Sequence, residues 1–391
     1  MRAKRHEFIL RMSSSTRVVL YVGFATTGIC VALPGALMPW LLVHWALQDS
    51  QAGYLLFFFF LGNTGGALLS RGSLRWSIVR GAACVALGAA LLPFASRPEA
   101  YATILLYGLG LGIAMTSISL LQAQRWVEDC AAELTRLNLL WAIGACAGPW
   151  LVLHEGIRDR VHVDHLLLAL AVAFTVFGVW IAFFERDPQA PVKLQKTSKR
   201  FAVLAAPLAL LVMVFCATGV ESSCGGWLAT YSQRSGHSLG ITIGAPTCLW
   251  AGLLVSRLLH SSSRIGRASM GFLLTSNLMA MAAAVATLIC FREGIFMLGA
   301  AFVVGFAVGP MYPMLLSLVF KHDSGNRVFV LAGLGAASLP LITGTLSTAT
   351  GSLRAGLAAP LAAATAMAIA GWLTWRAYRA NGFKIAASDN G

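Results

Sequence analysis

Charged residues are scarce in this chain of 391 residues. Asp, Glu, Lys and Arg make up 11% of the sequence, against about 25% in an ordinary soluble domain. Acidic residues are the rarer kind, with 15 Asp and Glu against 29 Lys and Arg, and 58% of all residues are hydrophobic. This composition excludes a soluble enzyme and indicates a protein that lies in a membrane.

Cysteine patterns typical of metal or disulfide sites are also missing. The eight cysteines lie mostly inside apolar runs, without a Cys-x-x-Cys pair or the Cys and His spacing of a metal site. An intramembrane enzyme would need a paired nucleophile and base, or metal ligands, at depth, and the sequence offers no such set. We therefore expect no metal, no cofactor and no enzymatic activity.

Long hydrophobic runs fill almost the whole chain. A membrane-spanning helix needs about 20 mostly apolar residues, and the sequence divides at charged or turn-rich clusters into twelve such runs. The first run follows a basic start but is too long for a cleaved signal peptide. The runs lie near 18–43, 52–70, 77–96, 101–122, 135–153, 165–184, 203–230, 239–259, 268–290, 295–320, 328–350 and 355–375. We predict an all-α membrane protein with twelve transmembrane helices.

The two halves of the sequence resemble each other. Thr27-Gly28 recurs as Thr218-Gly219 at an offset of 191 residues. Gly144 recurs as Gly335 at the same offset. Repeats of this kind are typical of alternating-access carriers, which hold the substrate between the halves near the middle of the membrane. We predict two pseudo-symmetric six-helix bundles.

Basic residues concentrate on alternate loops. One side of the predicted topology carries 23 Lys and Arg and the other carries six, and the cytoplasmic side keeps such an excess. We therefore expect a monomer in the cytoplasmic (inner) membrane with both termini in the cytoplasm. The net charge of +14 then reflects topology and not nucleic-acid binding. The predicted segments are an N-terminal tail 1–17, a bundle 18–184, a cytoplasmic linker 185–202, a bundle 203–376 and a C-terminal tail 377–391.

Glu221 is the one acidic residue that this division places inside a membrane helix. It lies in the seventh helix, shortly before Gly225-Gly226. A carboxylate at depth costs at least about 2.5 kcal/mol unless it is paired, protonated or facing water, so a function is expected to offset that cost. We predict that Glu221 accepts hydrogen bonds from a substrate or couples transport to protons. The alternative is a structural acceptor that stabilises a helix weakened by the glycine pair.

Three aromatic residues are further candidates for the substrate site. Trp227 and Tyr231 are one turn apart on the same face of the seventh helix, where their rings could stack on a sugar. The alternative is a place in the aromatic belt at the membrane interface. Tyr312, in the tenth helix, is predicted to point into the cavity.

Amide side chains supply the polar groups of the first half. Asn63, Gln122 and Asn138 offer donors and acceptors that match the hydroxyl groups of an uncharged ligand. Hydrogen bonds between helices are the alternative role for all three. The sequence places every Lys and Arg in tails, loops or helix ends, and the absence of basic residues at depth argues against an anionic substrate.

Glycine and proline mark the parts that are expected to move. Gly225 and Gly226 weaken the seventh helix, which suits a segment that bends during gating. Pro149 and Pro340 follow small-residue faces in the fifth and eleventh helices. Small residues let membrane helices pack closely, so we expect these two helices to rock about their prolines.

Several of these segments resemble the major facilitator superfamily, and the likeness extends over nearly the whole chain. Gly148-Pro149 and the motif at 221–231 are similar to the fucose:proton symporter and its glucose-transporting relatives, as are Asn138-Leu139 and the segment 309–313. The resemblance implies that superfamily's fold and a sugar-transporting function. The sequence departs from it by having no acid at depth in the first half. The loop 70–76 also keeps the basic residues of the inner gate but not the usual Asp.

These observations together predict a secondary transporter. We expect it to move a small neutral sugar, a hexose above all, across the cytoplasmic membrane by alternating access. Proton symport through Glu221 and uniport both remain open. The alternatives are a drug or cation:proton antiporter of the same fold and a membrane sugar sensor that does not transport.

Overall fold

The structure is a computed structural model that describes residues 2–154, 160–187, 205–260, 270–312, 314–315 and 327–380. Within these ranges it contains twelve long helices and no strand. The helices are α1 Arg2–His44, α2 Asp49–Leu69, α3 Leu74–Leu91, α4 Arg97–Arg125, α5 Cys130–His154, α6 Arg160–Phe184, α7 Ala205–Arg234, α8 Leu239–His260, α9 Met270–Cys290, α10 Gly294–Val308, α11 Arg327–Thr350 and α12 Ala358–Ala380. A 3-10 turn, Leu92–Phe94, follows α3, and a one-turn helix, Leu353–Gly356, precedes α12.

Each hydrophobic run that the sequence predicts overlaps one of these helices. Residues 2–17, which the sequence assigns to an N-terminal tail, form the first part of α1. Of the predicted linker, residues 185–187 are described and are not helical. The rest of the linker, and the C-terminal tail from residue 381, lie outside the described residues.

Most of the described helices suit a membrane. Nine of them are long and apolar enough to cross it, and Leu274–Cys290 and Gly294–Val308 are shorter apolar helices. The chain is therefore a multi-pass membrane protein. Local sequence sets the helix ends: at the start of α4, for example, the carboxylate of Glu99 accepts a hydrogen bond from the backbone N–H of Ser96 at 2.8 Å, which satisfies a donor that the helix leaves free.

The chain forms two compact units. The first unit comprises residues 1–34 and 58–193, and the second comprises 35–57 and 194–391. In the first unit α3 packs against α4 and α6, and in the second α7 packs against α11 and α12 while α8 packs against α10. The second unit thus includes the adjoining ends of α1 and α2, although these helices belong to the first half of the sequence.

Glycines allow α1 and α5 to touch in the first unit. A Cβ atom placed on Gly28 would overlap the carbonyl oxygen of Trp141. One placed on Gly144 would overlap the carbonyl oxygen of Ala25. Only a residue without a side chain fits at either position, so the two backbones are in direct contact.

The second unit repeats this contact between α7 and α11. A Cβ atom on Gly219 would lie 3.1 Å from the carbonyl oxygen of Gly335, and one on Gly335 would overlap that of Phe215. Gly219 and Gly335 are the residues that match Gly28 and Gly144 at the offset of 191. The internal repeat predicted from the sequence is therefore confirmed at the level of backbone contacts.

A second pair of helices shows the same repetition. A Cβ atom on Gly66 of α2 would overlap the carbonyl oxygen of Leu109 in α4. In the second unit a Cβ atom on Gly252 of α8 would overlap the carbonyl oxygen of Phe302 in α10. The predicted fold of two pseudo-symmetric six-helix bundles thus agrees with the packing inside each unit.

Candidate functional site

Glu221 lies in the middle of α7, within a stretch that is otherwise closed to solvent. All residues from Gly219 to Ser232 are buried except Glu221, which keeps part of its surface accessible. The helix runs unbroken through Gly225 and Gly226. Glu221 is therefore held at depth while part of the residue remains accessible, and its role in binding a ligand stays a prediction.

Arg257 is a partner of Glu221 that the sequence analysis missed. Counting charges by loop assigned it to the cytoplasmic end of a helix, and Arg257 does lie in the last turn of α8, but its interaction with Glu221 was not predicted. Its Nη1 atom is buried, and its guanidinium interacts electrostatically with the carboxylate of Glu221. An opposite charge at this depth offsets part of the cost of burying the carboxylate.

Tyr312 joins the same cluster. Its phenol interacts electrostatically with Glu221, and the ring is only partly exposed. The sequence predicted that Tyr312 is a site residue, and the structure places its phenol within electrostatic range of Glu221; its role in binding a substrate stays a prediction. Together the three side chains form what we call the carboxylate cluster, which lies wholly within the second unit.

Close helix packing assembles this cluster. A Cβ atom on Gly309, at the end of α10, would lie 3.0 Å from the Cβ atom of Ser256, so the turn before Tyr312 lies against α8 next to Arg257. A Cβ atom on Gly225 would lie 3.2 Å from the ring of Trp250, which holds α7 against α8. Glycine at both contacts therefore lets α7, which carries Glu221, and the end of α10 pack closely against α8, which carries Arg257.

Trp227 and Tyr231 occupy contacts between helices. The Trp227 side chain is fully buried, and its Nε1–H donates to the carbonyl oxygen of Pro340 at 2.9 Å. The Tyr231 ring is 4% exposed, and its hydroxyl donates to the carbonyl oxygen of Leu288 at 2.7 Å. In this conformation both aromatics join α7 to its neighbours, and their role in binding a substrate stays a prediction.

The three amides of the first unit lie in different surroundings. Asn63 is partly exposed on α2, and Asn138 is exposed, with its Nδ2 donating to the carbonyl oxygen of Leu134 at 2.9 Å. Gln122 is 1% exposed, and its Nε2 lies 3.3 Å from a carboxylate oxygen of Glu133. No hydrogen bond in the described part of the chain joins these amides to one another, and their contact with a substrate stays a prediction.

Glu133 corrects the expectation that the first half buries no acid. It lies in the first turn of α5, is 0% exposed, and accepts from Arg17 at 2.7 Å, Tyr21 at 2.5 Å and Arg136 at 3.1 Å. With Gln122 as a fourth donor, this carboxylate joins α1, α4 and α5. Arg17 and Tyr21 are four residues apart on one helix face. This spacing is the sequence signal that could have indicated a shared partner for the two side chains.

Asp187 binds the loop 70–76, which lacks the Asp that is usual at the inner gate. Asp187, just after α6, accepts a hydrogen bond from the backbone N–H of Arg75 at 2.9 Å and another from the hydroxyl of Ser73. Nearby, Glu185 is buried and forms an ion pair with Arg125. The start of the linker thus caps α3 through Asp187 and forms an ion pair with α4 through Glu185. Loop composition alone did not predict these contacts.

Comparisons with known proteins agree with this architecture. No family model matches the sequence. Two glucose/galactose transporters, from Brucella abortus biovar 1 (strain 9-941) and Brucella abortus (strain 2308), are each 27% identical to it over 372 residues, covering 84% of this chain and 86% of the relative.

Solved structures of membrane transporters share the fold. A bacterial homologue of the human lysosomal transporter Spinster, inward-facing and occupied, matches with a TM-score of 0.71 at 13% identity, over 96% of this chain and 99% of that one. The nucleoside transporter NupG matches with 0.70 at 12% identity over 94% and 99%. A variant of the E. coli fucose:proton symporter FucP matches with 0.57 at 18% identity over 91% and 98%. The chain therefore shares the fold of these membrane transporters.

Proposed function

We propose that this protein is a secondary transporter that moves a small neutral sugar, a hexose above all, across the cytoplasmic membrane by alternating access. The carboxylate cluster of Glu221, Arg257 and Tyr312 is the observation that carries the proposal. The likeness to glucose/galactose transporters supports it. Both termini then lie in the cytoplasm, and the working unit is one chain.

The charge balance of the cluster favours a neutral substrate. The absence of basic residues at depth, from which the sequence predicted a neutral substrate, does not hold, because Arg257 has a buried guanidinium atom. The proposal of a neutral substrate rests instead on the opposite charges of Glu221 and Arg257. An anionic substrate would meet the carboxylate, and a lipophilic cation would meet the guanidinium, so the cluster also disfavours a drug or cation antiporter.

Sugar hydroxyls suit this pair of groups. Each hydroxyl both donates and accepts, so one hydroxyl can donate to Glu221 while its neighbour accepts from the guanidinium of Arg257. The phenol of Tyr312 can serve either hydroxyl. We assign the amides Asn63 and Asn138 to the same substrate from the first half of the chain.

Coupling to protons is a separate part of the proposal. In a symporter the carboxylate of Glu221 would take up a proton as the sugar binds and release it on the other side. In a uniporter Glu221 would only accept hydrogen bonds from the sugar. Glu221→Gln keeps the shape of the side chain and removes the charge, so it distinguishes the two.

The test is uptake of a panel of radiolabelled hexoses into proteoliposomes, with and without a pH gradient. We expect saturable uptake of at least one hexose and none of sugar phosphates. If Glu221 couples protons, Glu221→Gln still exchanges sugar but no longer accumulates it. If Glu221 only binds sugar, the variant loses both activities.

Glu128→Gln serves as the matched control, because Glu128 is exposed in the turn between α4 and α5 and its replacement leaves transport unchanged. Two results would refute the proposal. One is the absence of any hexose flux from vesicles that do transport a lipophilic cation. The other is wild-type flux and accumulation in Glu221→Gln.

A further inference from the structure

Another buried acid, Asp49, forms an ion pair at the opposite end of α7 from the linker. Asp49, the first residue of α2, is 8% exposed. Its two carboxylate oxygens accept hydrogen bonds from the Nη1 and Nη2 atoms of Arg234 at 2.6 and 2.7 Å. The hydroxyl of Ser347 in α11 donates to the same carboxylate at 2.5 Å. A two-pronged guanidinium contact of this kind is among the strongest side-chain interactions.

Backbone contacts hold the first turn of α2 in the same place. The N–H of Ser50 donates to the hydroxyl of Thr348 at 2.8 Å. A Cβ atom on Gly344 of α11 would overlap the backbone carbonyl oxygen of Asp49, and one on Gly53 would lie 3.0 Å from the Cα atom of Leu341. The start of α2 is therefore packed directly on the backbone of α11.

The neighbouring end of α1 is packed on α7 in the same way. A Cβ atom on Gly35 would overlap the carbonyl oxygen of Gly225. A Cβ atom on Gly226 would lie 2.6 Å from the Leu56 side chain of α2. These contacts explain why residues 35–57 group with the second unit, although they belong to the first six-helix repeat of the sequence.

We propose that Asp49, Arg234 and Ser347 form a latch that holds the two sequence repeats together at the predicted outer side and must open during each transport cycle. Helices α1 and α2 belong to one repeat, and α7 and α11 to the other. In carriers built from such repeats, one repeat rocks against the other. Rocking that opens this side separates Asp49 from Arg234, so the latch sets the balance between the two states. This inference rests on the fold and does not depend on which solute is carried.

The latch has a property that a purely structural ion pair lacks, since its partners lie on different repeats. The pair Arg125–Glu185 joins α4 to the end of α6 within the first repeat, so rocking does not separate it. Loss of the Asp49 charge should therefore change the population of open molecules. Loss of the Glu185 charge should change only stability.

Distances between spin labels test this directly. Gln48 and Gln233 are both exposed and directly precede Asp49 and Arg234 in the sequence. Labels introduced there by amber suppression leave the eight native cysteines in place. A second label pair at Gln233 and Thr350, both exposed and both in the second repeat, is the control. Distances are measured by pulsed electron paramagnetic resonance on the full chain in nanodiscs.

We expect Asp49→Asn to raise the ratio of long to short Gln48–Gln233 distances by about tenfold or more, because it leaves the guanidinium of Arg234 without its counter-charge. The control pair keeps its distance. Glu185→Gln, the matched control variant, leaves both distances unchanged. Reversing the pair, with Asp49→Arg and Arg234→Asp together, brings the ratio back towards the wild-type value.

Ser347→Ala removes one hydrogen bond and keeps the ion pair, so it gives a smaller shift in the same direction and provides a reading if Asp49→Asn does not fold. Wild-type distance distributions in both Asp49→Asn and Ser347→Ala would overturn the proposal. So would a shift of the Gln233–Thr350 control pair, because that result would mean a local loss of packing between α7 and α11 and not the opening of a latch.

Discussion

Replacing Glu133 by Gln tests whether a buried carboxylate holds the first unit together. Glu133 receives hydrogen bonds from Arg17, Tyr21, Gln122 and Arg136. Glutamine keeps the shape, but it removes the charge and presents an amide N–H₂ group to side chains that are themselves donors. At least one of the four contacts then becomes a donor facing a donor.

The expected loss is set by how far the partners can regain water. A hydrogen bond to a charged group contributes about 1.5–3 kcal/mol. The side chains of Arg17 and Arg136 are 30% and 57% exposed and can rehydrate. We therefore expect a loss of about 2 kcal/mol in all, well below the sum of four contacts. For a cooperative unit of 150–250 residues this corresponds to a fall in Tm of roughly 4–8 °C.

The assay is thermal unfolding of the detergent-solubilised protein, followed by fluorescence. Glu128→Gln, on an exposed residue, is the control and leaves Tm within about 1 °C of wild type. Combining Glu133→Gln with Arg17→Gln should cost less than the sum of the two single variants, by about 1 kcal/mol. Equal Tm values for Glu133→Gln and Glu128→Gln would refute the reasoning.

Two further substitutions test the helix contacts. Gly144→Ala places a Cβ atom on the carbonyl oxygen of Ala25, so we expect it to lower the free energy of unfolding by about 1–3 kcal/mol. Gly65→Ala is the control: Gly65 has no neighbour within 4 Å, and its replacement should be neutral or slightly stabilising. Equal melting temperatures for the two variants would contradict the backbone contact between α1 and α5. Trp227→Phe removes the donor to Pro340 and part of a fully buried ring, so we expect a loss of about 2–3 kcal/mol in the same melting assay. Trp372→Phe, at a half-exposed position, is its control and should melt as the wild type does.

Hydrophobic runs and the internal repeat were enough to predict the helices and their grouping into repeats. Gly28 and Gly144 could be matched with Gly219 and Gly335 from spacing alone, because glycine at a helix crossing answers a local need, the close approach of two backbones. The same applies to Glu221, which stands out as an acid in an apolar run. Such signals are carried by short segments and do not require knowledge of the partner helix.

Arg257 and Glu133 could not be placed in this way. Both lie near the ends of hydrophobic runs, where charged residues usually meet water, and the sequence analysis assigned them to that environment. Each instead interacts with an oppositely charged residue from another helix. Arg257 interacts with Glu221, and Glu133 forms an ion pair with Arg17. Ion pairing between segments far apart in sequence depends on the tertiary fold, which charge counting by loop does not contain.

Three buried acids share one arrangement, and Glu221 departs from it. Asp49, Glu133 and Glu185 are buried at helix ends, and each is paired with an arginine from another helix. Their burial is offset by direct ion pairs that fix helix ends. Glu221 also has an arginine within electrostatic range, but it lies in mid-helix and keeps accessible surface in a stretch that is otherwise buried. A carboxylate needed only to join helices would gain from complete burial against its partner, so the accessible part of Glu221 supports the proposal that a substrate binds there.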